Sequence, residues 1–460
     1  MPANHVNIDR ATPMLLPPDL RDWVAEDDLV HFVLEAIDGM ALPTLRVNRR
    51  GSGSAQYPPK MMLGLLIYCY ANGLFSSRRI ERATYRDVSV RYLTANTHPD
   101  HDTICKFRRE NFDAVAQAFV AILQLAKAMG LLKVGAVSVD GTRIRASASR
   151  DRNVRYDRAQ ELEAQLTEDI EALLRRAEQA DEEDRKGPGD GQTLPKQLDR
   201  LEKLRQKMRE AQAHLQAQAK AKAEAEQAAY QRKLAEREQR QSHRKGPRLR
   251  PPTGDGQPQA TDQVNLTDAD SRLMRQSHGH RFEQAYNAQA AVDADGSMLV
   301  LGARVTDHAN DVNELTASLQ AVPGELGPID AVLADTGYAN IDAIRQFEDQ
   351  PEGPELYVAV RREDNHDQRR YDYRPREATD KPPRTLTDPT LLAMAAKLRT
   401  DEGRRQYRKR KQSVEPVFGI IKSVMGFVQF LLRGLEKVRG EWSLVCLAYN
   451  VKRLWNLQRA

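Results

Sequence analysis

The sequence predicts an α/β protein with a mixed-sheet core, a helical hairpin inserted into that core and an all-helical N-terminal domain. Three observations support this fold class. Apolar residues recur at helical spacing over residues 17–125, short β-branched segments begin near residue 131 and return after residue 281, and a highly charged helical stretch separates these two groups of strands. The 460 residues suffice for roughly two to four domains of about 100 to 200 residues each.

The overall charge is nearly balanced, because 70 Lys and Arg residues face 65 Asp and Glu residues and the formal net charge is +5. The basic residues are nevertheless clustered, most densely over residues 404–411. A local cluster of this kind can bind phosphate groups even when the average charge is small. The charge distribution therefore allows a nucleic-acid partner without establishing one.

The three cysteines, Cys69, Cys105 and Cys446, stand far apart and form none of the spacings used by zinc sites or redox pairs, which fits a reducing compartment. No run of about 18 apolar residues occurs, and the first residues lack the basic, apolar and small-residue blocks of a signal peptide. We therefore expect a cytoplasmic protein with no membrane partner.

The N-terminal domain is expected to cover residues 1–128. Apolar positions at helical spacing over residues 29–37 and 61–70 predict helices, the second of which follows the start signal Pro58-Pro59. Residues 77–113 then divide into two short helical stretches and a third, separated by turn-forming residues at 96–100. This layout is typical of a helix-turn-helix.

The third stretch would present a polar and basic face to a DNA groove. The residues expected on that face are Thr103, Lys106, Arg108 and Arg109. A plain helical bundle with a solvated basic face is the alternative. His98, His101 and Cys105 could be considered as zinc ligands, but no fourth ligand stands at a suitable spacing.

The pattern changes to strand chemistry over residues 134–140, which are β-branched and bounded by glycine. Residues 151–245 return to charged helix in two segments with apolar seams, interrupted by a glycine- and proline-rich break at 187–191. This predicts an antiparallel, coiled-coil-like hairpin. The seam positions are Leu162, Leu166, Ile170 and Leu173 in the first segment and Leu198, Leu201, Leu204 and Met208 in the second. Residues 245–261, rich in Pro, Gly and Gln, are expected to form a mobile loop.

Strand signals return after the insertion. Two strands are predicted over residues 284–293 and 298–305, joined by a turn with the hairpin pair Asp295-Gly296. The predictions that follow are a helix over 313–321, a strand over 331–335, a helix over 341–347, a strand over 356–360, a polar stretch over 361–389 and C-terminal helices. Without the insertion, the order is that of an RNase H-like α/β core. The expected domains are thus residues 1–128, residues 129–150 with 263–460, and the insertion over 151–262.

Two aspartates stand at matching places in this core. Asp140 is expected to end one strand and Asp335 another, and these strands are expected to be parallel neighbours. Ligands of open α/β sheets bind at the carboxyl ends of parallel strands, so the two carboxylates should meet at one sheet edge. A single Asp near Gly is also an ordinary turn residue, but two in matching positions favour a functional site.

Glu415 is the candidate for a third acid, because it stands alone in a basic and apolar segment. Lys411 lies four residues before it and Lys422 seven residues after it, and at about 3.6 residues per turn the three share a helical face. An ordinary solvated pair between Lys411 and Glu415 is the alternative. Pro416 predicts a helix start or a kink at Glu415.

Three carboxylates suit two hard divalent cations, Mg²⁺ or Mn²⁺, which need neither His nor Cys. Two such ions about 3.5 to 4 Å apart can activate an attacking oxygen and stabilise a leaving oxygen in phosphoryl transfer. Asp140, Asp335 and Glu415 are therefore the candidate catalytic and metal-binding residues.

Several motifs connect the chain to a known family. They are LTANTHPDHDTI at 93–104, VDGT at 139–142, TDADSR at 267–272, YNAQ at 286–289, ADTGY at 334–338, VEPVFGIIK at 414–422 and RGLEKVRGEW at 433–442. On these motifs the chain resembles bacterial insertion-sequence transposases with an RNase H-like DDE core, specifically a subgroup with a long helical N-terminal domain. The resemblance covers nearly the whole chain.

The resemblance implies that Asp140, Asp335 and Glu415 are metal ligands and that Lys422 contacts a DNA phosphate. In the family, a Tyr and a basic residue precede the Glu at set spacings. Lys411 holds the place of the basic residue, whereas Tyr407 lies one residue further from Lys411 than the Tyr of the common pattern does. The DNA contacts expected in this segment are Tyr407, Arg410, Lys411 and Lys422. Asp268 and Asp270 fit turn and capping roles better than metal ligation.

We therefore expect a transposase that cleaves DNA at the ends of an insertion sequence and joins them to target DNA. Its partners would be double-stranded terminal inverted repeats and target DNA, and it would act as a homodimer on DNA, associated with the nucleoid. A catalytically silent DNA-binding regulator derived from a transposase is the alternative. A standalone RNase H-like nuclease is a third possibility, although it would not need the helical N-terminal domain.

Overall fold

The computed structural model describes residues 19–46, 55–184, 194–239, 250–252, 254–275, 281–350, 353–360 and 386–459. Several predicted features lie outside these residues, namely the break at 187–191, the first part of the expected loop at 245–261 and most of the polar stretch at 361–389. Within the described parts of the chain, no helix combines the length and apolar character that crossing a bilayer requires.

The N-terminal part is helical, as the apolar spacing predicts. Its helices are α1 (Leu29–Asp38), α2 (Pro59–Ala71), α3 (Ser77–Arg86), α4 (Val88–Leu93), α5 (His101–Glu110) and α6 (Phe112–Ala128). Local chemistry sets their starts: the Asp28 side chain accepts a hydrogen bond from the backbone of Val30 at the start of α1, and Pro59 occupies the first turn of α2. The turn that the sequence places at 96–100 separates α4 from α5, and Asp100 caps α5.

A six-stranded mixed sheet forms the centre of the protein. The described strands of the protein, six in this sheet and two in a separate pair, are β1 (Ala136–Arg145), β2 (Asn153–Arg155), β3 (Gln263–Asn265), β4 (Arg272–Arg275), β5 (Phe282–Asp293), β6 (Val300–Thr306), β7 (Ala331–Ala334) and β8 (Glu355–Val358). In the large sheet β5, β1, β7 and β8 are successive neighbours, and β4 and β6 pair with successive segments of β5. The pairs of β5 are antiparallel, whereas β1, β7 and β8 run parallel to one another. β2 and β3 form a separate antiparallel pair.

The insertion consists of two long antiparallel helices, α7 (Tyr156–Asp184) and α8 (Leu194–Gln239), as predicted. Near the start of α7 the Glu163 carboxylate accepts a hydrogen bond of 2.7 Å from Arg209 Nε of α8. Leu166 and Met208 are buried between the helices, in a hydrophobic cluster separate from the main core. The predicted seam is wrong at Leu204, which is 41% exposed.

The remaining helices are α9 (Leu315–Gln320), α10 (Ile341–Glu348), α11 (Pro389–Lys397), α12 (Asp401–Gly419) and α13 (Leu435–Gln458). α13 is buried along most of its length and contacts α2 and α6 on one side and β6 on the other. A single hydrophobic core therefore runs from the N-terminal helices through α13 to the sheet.

The start of α13 depends on two aspartates from a distant part of the sequence. Asp268 Oδ1 accepts a hydrogen bond of 3.0 Å from the backbone N–H of Gly434, and Asp270 Oδ2 accepts one of 2.8 Å from that of Leu435. These N–H groups belong to the first turn, where a helix has no internal partner for them. The predicted capping role of Asp268 and Asp270 is confirmed.

Candidate active site

Asp140 and Asp335 lie at the point where two parallel strands stop pairing. The parallel pairing of β1 with β7 ends at Val139 and Ala334, and the next residue of each strand is an aspartate. The prediction of parallel neighbouring strands is thus confirmed. The prediction that the first strand ends at Asp140 is wrong: β1 continues to Arg145, because its second half pairs with β5.

Glu415 approaches the same place from helix α12, which packs across β1, β5 and β7. The expected helix start at Glu415 is wrong, since α12 is continuous from Asp401 to Gly419 and includes Pro416. Proline removes one hydrogen-bond donor from a helix interior, and here the helical backbone continues past it. A π-helical turn, Ile420–Val424, succeeds α12 directly.

The three acids converge on one guanidinium group. Arg410 Nη2 lies 3.0 Å from Asp140 Oδ2 and 3.7 Å from Asp335 Oδ2. The Nη1 atom of the same side chain lies 3.1 Å from Glu415 Oε1. Arg410 is only 7% exposed. The sequence-based assignment of Arg410 as a DNA contact is therefore corrected: its charged group points into the carboxylate cluster, away from solvent.

Burial dominates the electrostatics of this cluster. Burial raises the pKa of Asp140 to about 7; Arg410 opposes the shift and the negative charge of Asp335 adds to it. The positive charge of Arg410 thus favours the carboxylate form of Asp140 against burial.

The donor set suits a hard divalent cation, because it consists of carboxylate oxygens gathered at a position where a positive group is already held. Among the residues that the structure describes, no three His, Cys, Asp or Glu side chains are already spaced to ligate a metal. Arg410 lies between Asp140, Asp335 and Glu415. Those three side chains could hold metal ions.

A fourth carboxylate, which the sequence analysis missed, stands beside the cluster. Asp311 Oδ1 accepts hydrogen bonds of 2.7 Å from Asn287 Nδ2 and 2.6 Å from Gln289 Nε2. Asp311 lies in the loop between β6 and α9, where no periodic pattern marks a residue. The YNAQ motif contains both amide residues, Asn287 and Gln289, and was the only sequence signal that could have pointed to a polar group at this position.

The basic residues near Glu415 occupy different environments. Lys422 is partly buried beside β1, where its Nζ donates to Thr142 Oγ1 at 2.5 Å and to the backbone oxygen of Arg143 at 3.0 Å. Burial lowers its pKa, and the charge of Arg143 lowers it further. Lys411 is exposed on α12. Tyr407 is half-buried and packs against the sheet beside Tyr357.

The basic face predicted for the third helical stretch is only partly present on α5. Lys106 and Arg109 are exposed, and Thr103 donates its hydroxyl to the capping residue Asp100 at 2.9 Å. Arg108 is 4% exposed. The prediction is wrong for Arg108, because a residue four positions after the buried Ile104 shares its inward face.

The Arg108 guanidinium donates to Tyr70 at 2.7 Å and to the backbone oxygen of Phe75 at 3.1 Å. Among the residues considered for zinc, His98 stacks on Tyr85 and His101 lies 2.9 Å from Glu81. These contacts give both rings structural partners.

Comparison with known protein families supplies two matches. Residues 18–110 match a family model described as a transposase domain (DUF772), and residues 376–455 match one described as a transposase DDE domain. The matches support an insertion-sequence DDE transposase. Neither the curated proteins nor the solved structures contain a match to this chain.

The two matched regions cover different parts of the chain. The N-terminal match spans α1 to α5, and the DDE match includes Glu415 and Lys422. Asp140 and Asp335 lie between the matched regions, so their place in the site depends on the geometry around Arg410.

Proposed function

We propose that this transposase cleaves and joins DNA with Asp140, Asp335 and Glu415 as the ligands of two Mg²⁺ or Mn²⁺ ions. The observation that carries the proposal is the convergence of three acids, from β1, the end of β7 and α12, on the buried Arg410. Side chains from three separate elements, far apart in sequence, meet at the carboxyl edge of a parallel strand pair. Such edges are where open α/β sheets bind ligands.

The strand order supports an RNase H-like core. Reading across the sheet, β6, β5 and β1 form an antiparallel group, and β7 and β8 follow in parallel with β1. This arrangement matches the order of strands and helices that the sequence predicts for such a core once the hairpin insertion is left out.

The reaction that we propose has two steps. A water oxygen forms a bond to a phosphorus atom at the element end, and the bond from that phosphorus to the 3′ oxygen breaks, leaving a 3′ hydroxyl. This hydroxyl then attacks a phosphorus of target DNA and displaces the 3′ oxygen there. Bound divalent ions would activate the attacking oxygen and stabilise the leaving oxygen in both steps.

The protein side chains would position the DNA. Lys422 lies beside β1, two residues along the strand from Asp140, and would contact a phosphate next to the reacting one. Lys411 would add a contact from α12. Exposed Lys106 and Arg109 would bind the terminal inverted repeats from the helical N-terminal domain, mainly through phosphates. Two ends must be cut together, so the protein would act as a homodimer on DNA in the nucleoid.

The test uses a supercoiled plasmid that carries the terminal inverted repeats, incubated with the full-length protein and Mg²⁺. We expect wild-type protein to nick the plasmid at the repeat ends, and chelation by EDTA to stop the reaction. Asp335→Asn should reduce nicking to background. Asp330→Asn is the matched control, because Asp330 is exposed and precedes the strand that Asp335 follows.

Nicking by Asp335→Asn at the wild-type rate would contradict the proposed site. DNA binding in gel shifts, with no metal-dependent nicking by wild-type protein, would instead favour the catalytically silent regulator.

A further inference from the structure

Asp311 borders both aspartates of the proposed centre. A Cβ atom at Gly141, the residue after Asp140, would lie 2.5 Å from Asp311 Oδ1. A Cβ atom at Gly337, two residues after Asp335, would lie 3.4 Å from Asp311 Oδ2 and 2.9 Å from Asp335 Oδ1. The Asp311 and Asp335 carboxylates therefore face the same small volume, which glycine leaves open.

Two buried amides hold Asp311 in this position. Asn287 and Gln289 are 3% and 0% exposed. They stand two residues apart on β5, so both side chains project from the same face of the sheet. Both donate to the same oxygen, Oδ1. Gln289 is itself oriented by Tyr338, whose hydroxyl donates to its amide oxygen. The other oxygen of Asp311, Oδ2, is thus left directed toward Gly337 and Asp335.

The charges around this volume favour a cation. The hydrogen bonds from Asn287 and Gln289 to Asp311 come from neutral amides, whereas the ion pairs of Arg410 reach Asp140, Asp335 and Glu415. Four carboxylates thus gather where one buried guanidinium is available. Buried negative charge is costly unless it is paired with positive charge or bound to a metal.

We propose that Asp311 is a fourth carboxylate of the cation centre and that Asn287 and Gln289 are positioning residues that aim it. The inference rests on the proposed function and deepens it, since it adds a group to the same centre. Asp311 would accept a cation through Oδ2, while the two amides fix the carboxylate through Oδ1.

The amide geometry provides a sharp variant. Asp311→Asn can keep its Oδ1 as acceptor for Asn287 and Gln289, and it replaces only Oδ2 with an NH₂ group. Asp307→Asn is the matched control, because Asp307 lies in the same loop and pairs with Arg272 at 3.0 Å. Mn²⁺ affinity is measured by isothermal titration calorimetry on the full chain without DNA, and Tm is measured with and without Mn²⁺.

We expect Asp311→Asn to weaken Mn²⁺ affinity by roughly ten-fold or more and Asp307→Asn to leave it unchanged. Without Mn²⁺, Asp311→Asn should unfold at the same Tm as wild type or a higher one, because it removes a charge and keeps both amide contacts. A purely structural role for Asp311 would lower the Tm with and without metal and leave the Mn²⁺ affinity unchanged. Asn287→Ala should weaken Mn²⁺ affinity less than Asp311→Asn, because Gln289 still holds the carboxylate.

Asp335→Asn separates this inference from the proposed function. Wild-type Mn²⁺ affinity in Asp311→Asn, together with weakened affinity in Asp335→Asn, would overturn the role of Asp311 and leave the proposed centre standing. Wild-type affinity in both variants would contradict the proposed centre itself.

Discussion

At the scale of single residues, the position of Arg410 explains how several acids gather around one buried position. Burying a carboxylate without a partner is unfavourable, and here one planar guanidinium serves Asp140 and Asp335 through Nη2 and Glu415 through Nη1. A cation bound by the same carboxylates would perform the same electrostatic task. In the proposed centre, Arg410 and divalent ions would therefore be alternative sources of positive charge for one cluster.

Replacement of Arg410 by Gln tests this equivalence. Removing one partner of a buried ion pair costs about 3 to 5 kcal/mol, so we expect the variant to unfold at a clearly lower Tm without divalent ions. Mn²⁺ should then raise the Tm of the variant more than that of wild type, because it supplies the missing charge. Arg404→Gln, an exposed position on the same helix, is the control. Equal Mn²⁺ effects on Arg410→Gln and wild type would argue against the shared role.

At the scale of elements, α13 joins the N-terminal helices to the sheet and carries a buried acid. Glu441 is 0% exposed, and its Oε2 accepts hydrogen bonds of 3.0 Å from the backbone N–H groups of Leu431 and Leu432. The positive charge of Arg108, on α5 of the N-terminal helices, favours the ionised form of Glu441. The Glu441 carboxyl group thus connects α13 to the loop before it and interacts electrostatically with Arg108 on α5.

Glu441 should make stability depend on pH. Burial raises the pKa of Glu441 in the folded protein. Between the ordinary pKa of Glu and this raised value, the folded protein binds a proton that the unfolded chain has released, so stability falls as pH rises through that window. In Glu441→Gln this component disappears.

The measurement is urea unfolding of wild type and Glu441→Gln from about pH 4 upward, since an unperturbed Glu titrates at about 4.3. We expect the stability of Glu441→Gln relative to wild type to increase with pH. Glu436→Gln, exposed in the first turn of α13, provides the control. A stability difference between Glu441→Gln and wild type that is constant with pH would show that the Glu441 carboxyl does not titrate differently in the folded and unfolded states.

The accuracy of the sequence-based element predictions follows from the physics of each pattern. Strands 284–293 and 298–305 were identified because strand-forming composition and an Asp-Gly turn are local properties, and β5 and β6 agree closely with them. The end of β1 was misplaced because it depends on a pairing partner about 150 residues away. The helix start predicted at Glu415 was likewise misplaced: α12 begins at Asp401 and packs across the sheet.

At the scale of the whole molecule, long-range packing decides what local patterns cannot. The meeting of Asp140 with Asp335 was predictable because parallel neighbouring strands share an edge. Asp311 and the buried place of Arg410 were not predictable, because each depends on side chains from separate elements. Arg108 was misassigned for a different reason: it stands four residues after the apolar Ile104, so helical spacing places it on the inward face, where its guanidinium donates to Tyr70.

The helical hairpin offers a surface for the expected self-association. Leu174 of α7 and Leu204 of α8 are 44% and 41% exposed. Both lie beyond the contact between Glu163 and Arg209, toward the connection between the two helices. Pairing of two hairpins would bury these leucines, and each fully buried leucine contributes about 1.5 to 3 kcal/mol.

We therefore expect Leu174→Lys combined with Leu204→Lys to weaken dimer formation on DNA, because two charged ends would replace the apolar contact. Light scattering of the protein, free and bound to DNA with terminal inverted repeats, measures the mass of the complex. Wild type should form a complex containing at least two protomers, and the double variant should bind DNA as a monomer. Leu392→Lys, on α11 at 46% exposure, is the control and should behave as wild type. A wild-type protein that stays monomeric in both states would rule out hairpin-mediated dimerisation, because the hairpin would then have no second copy to meet.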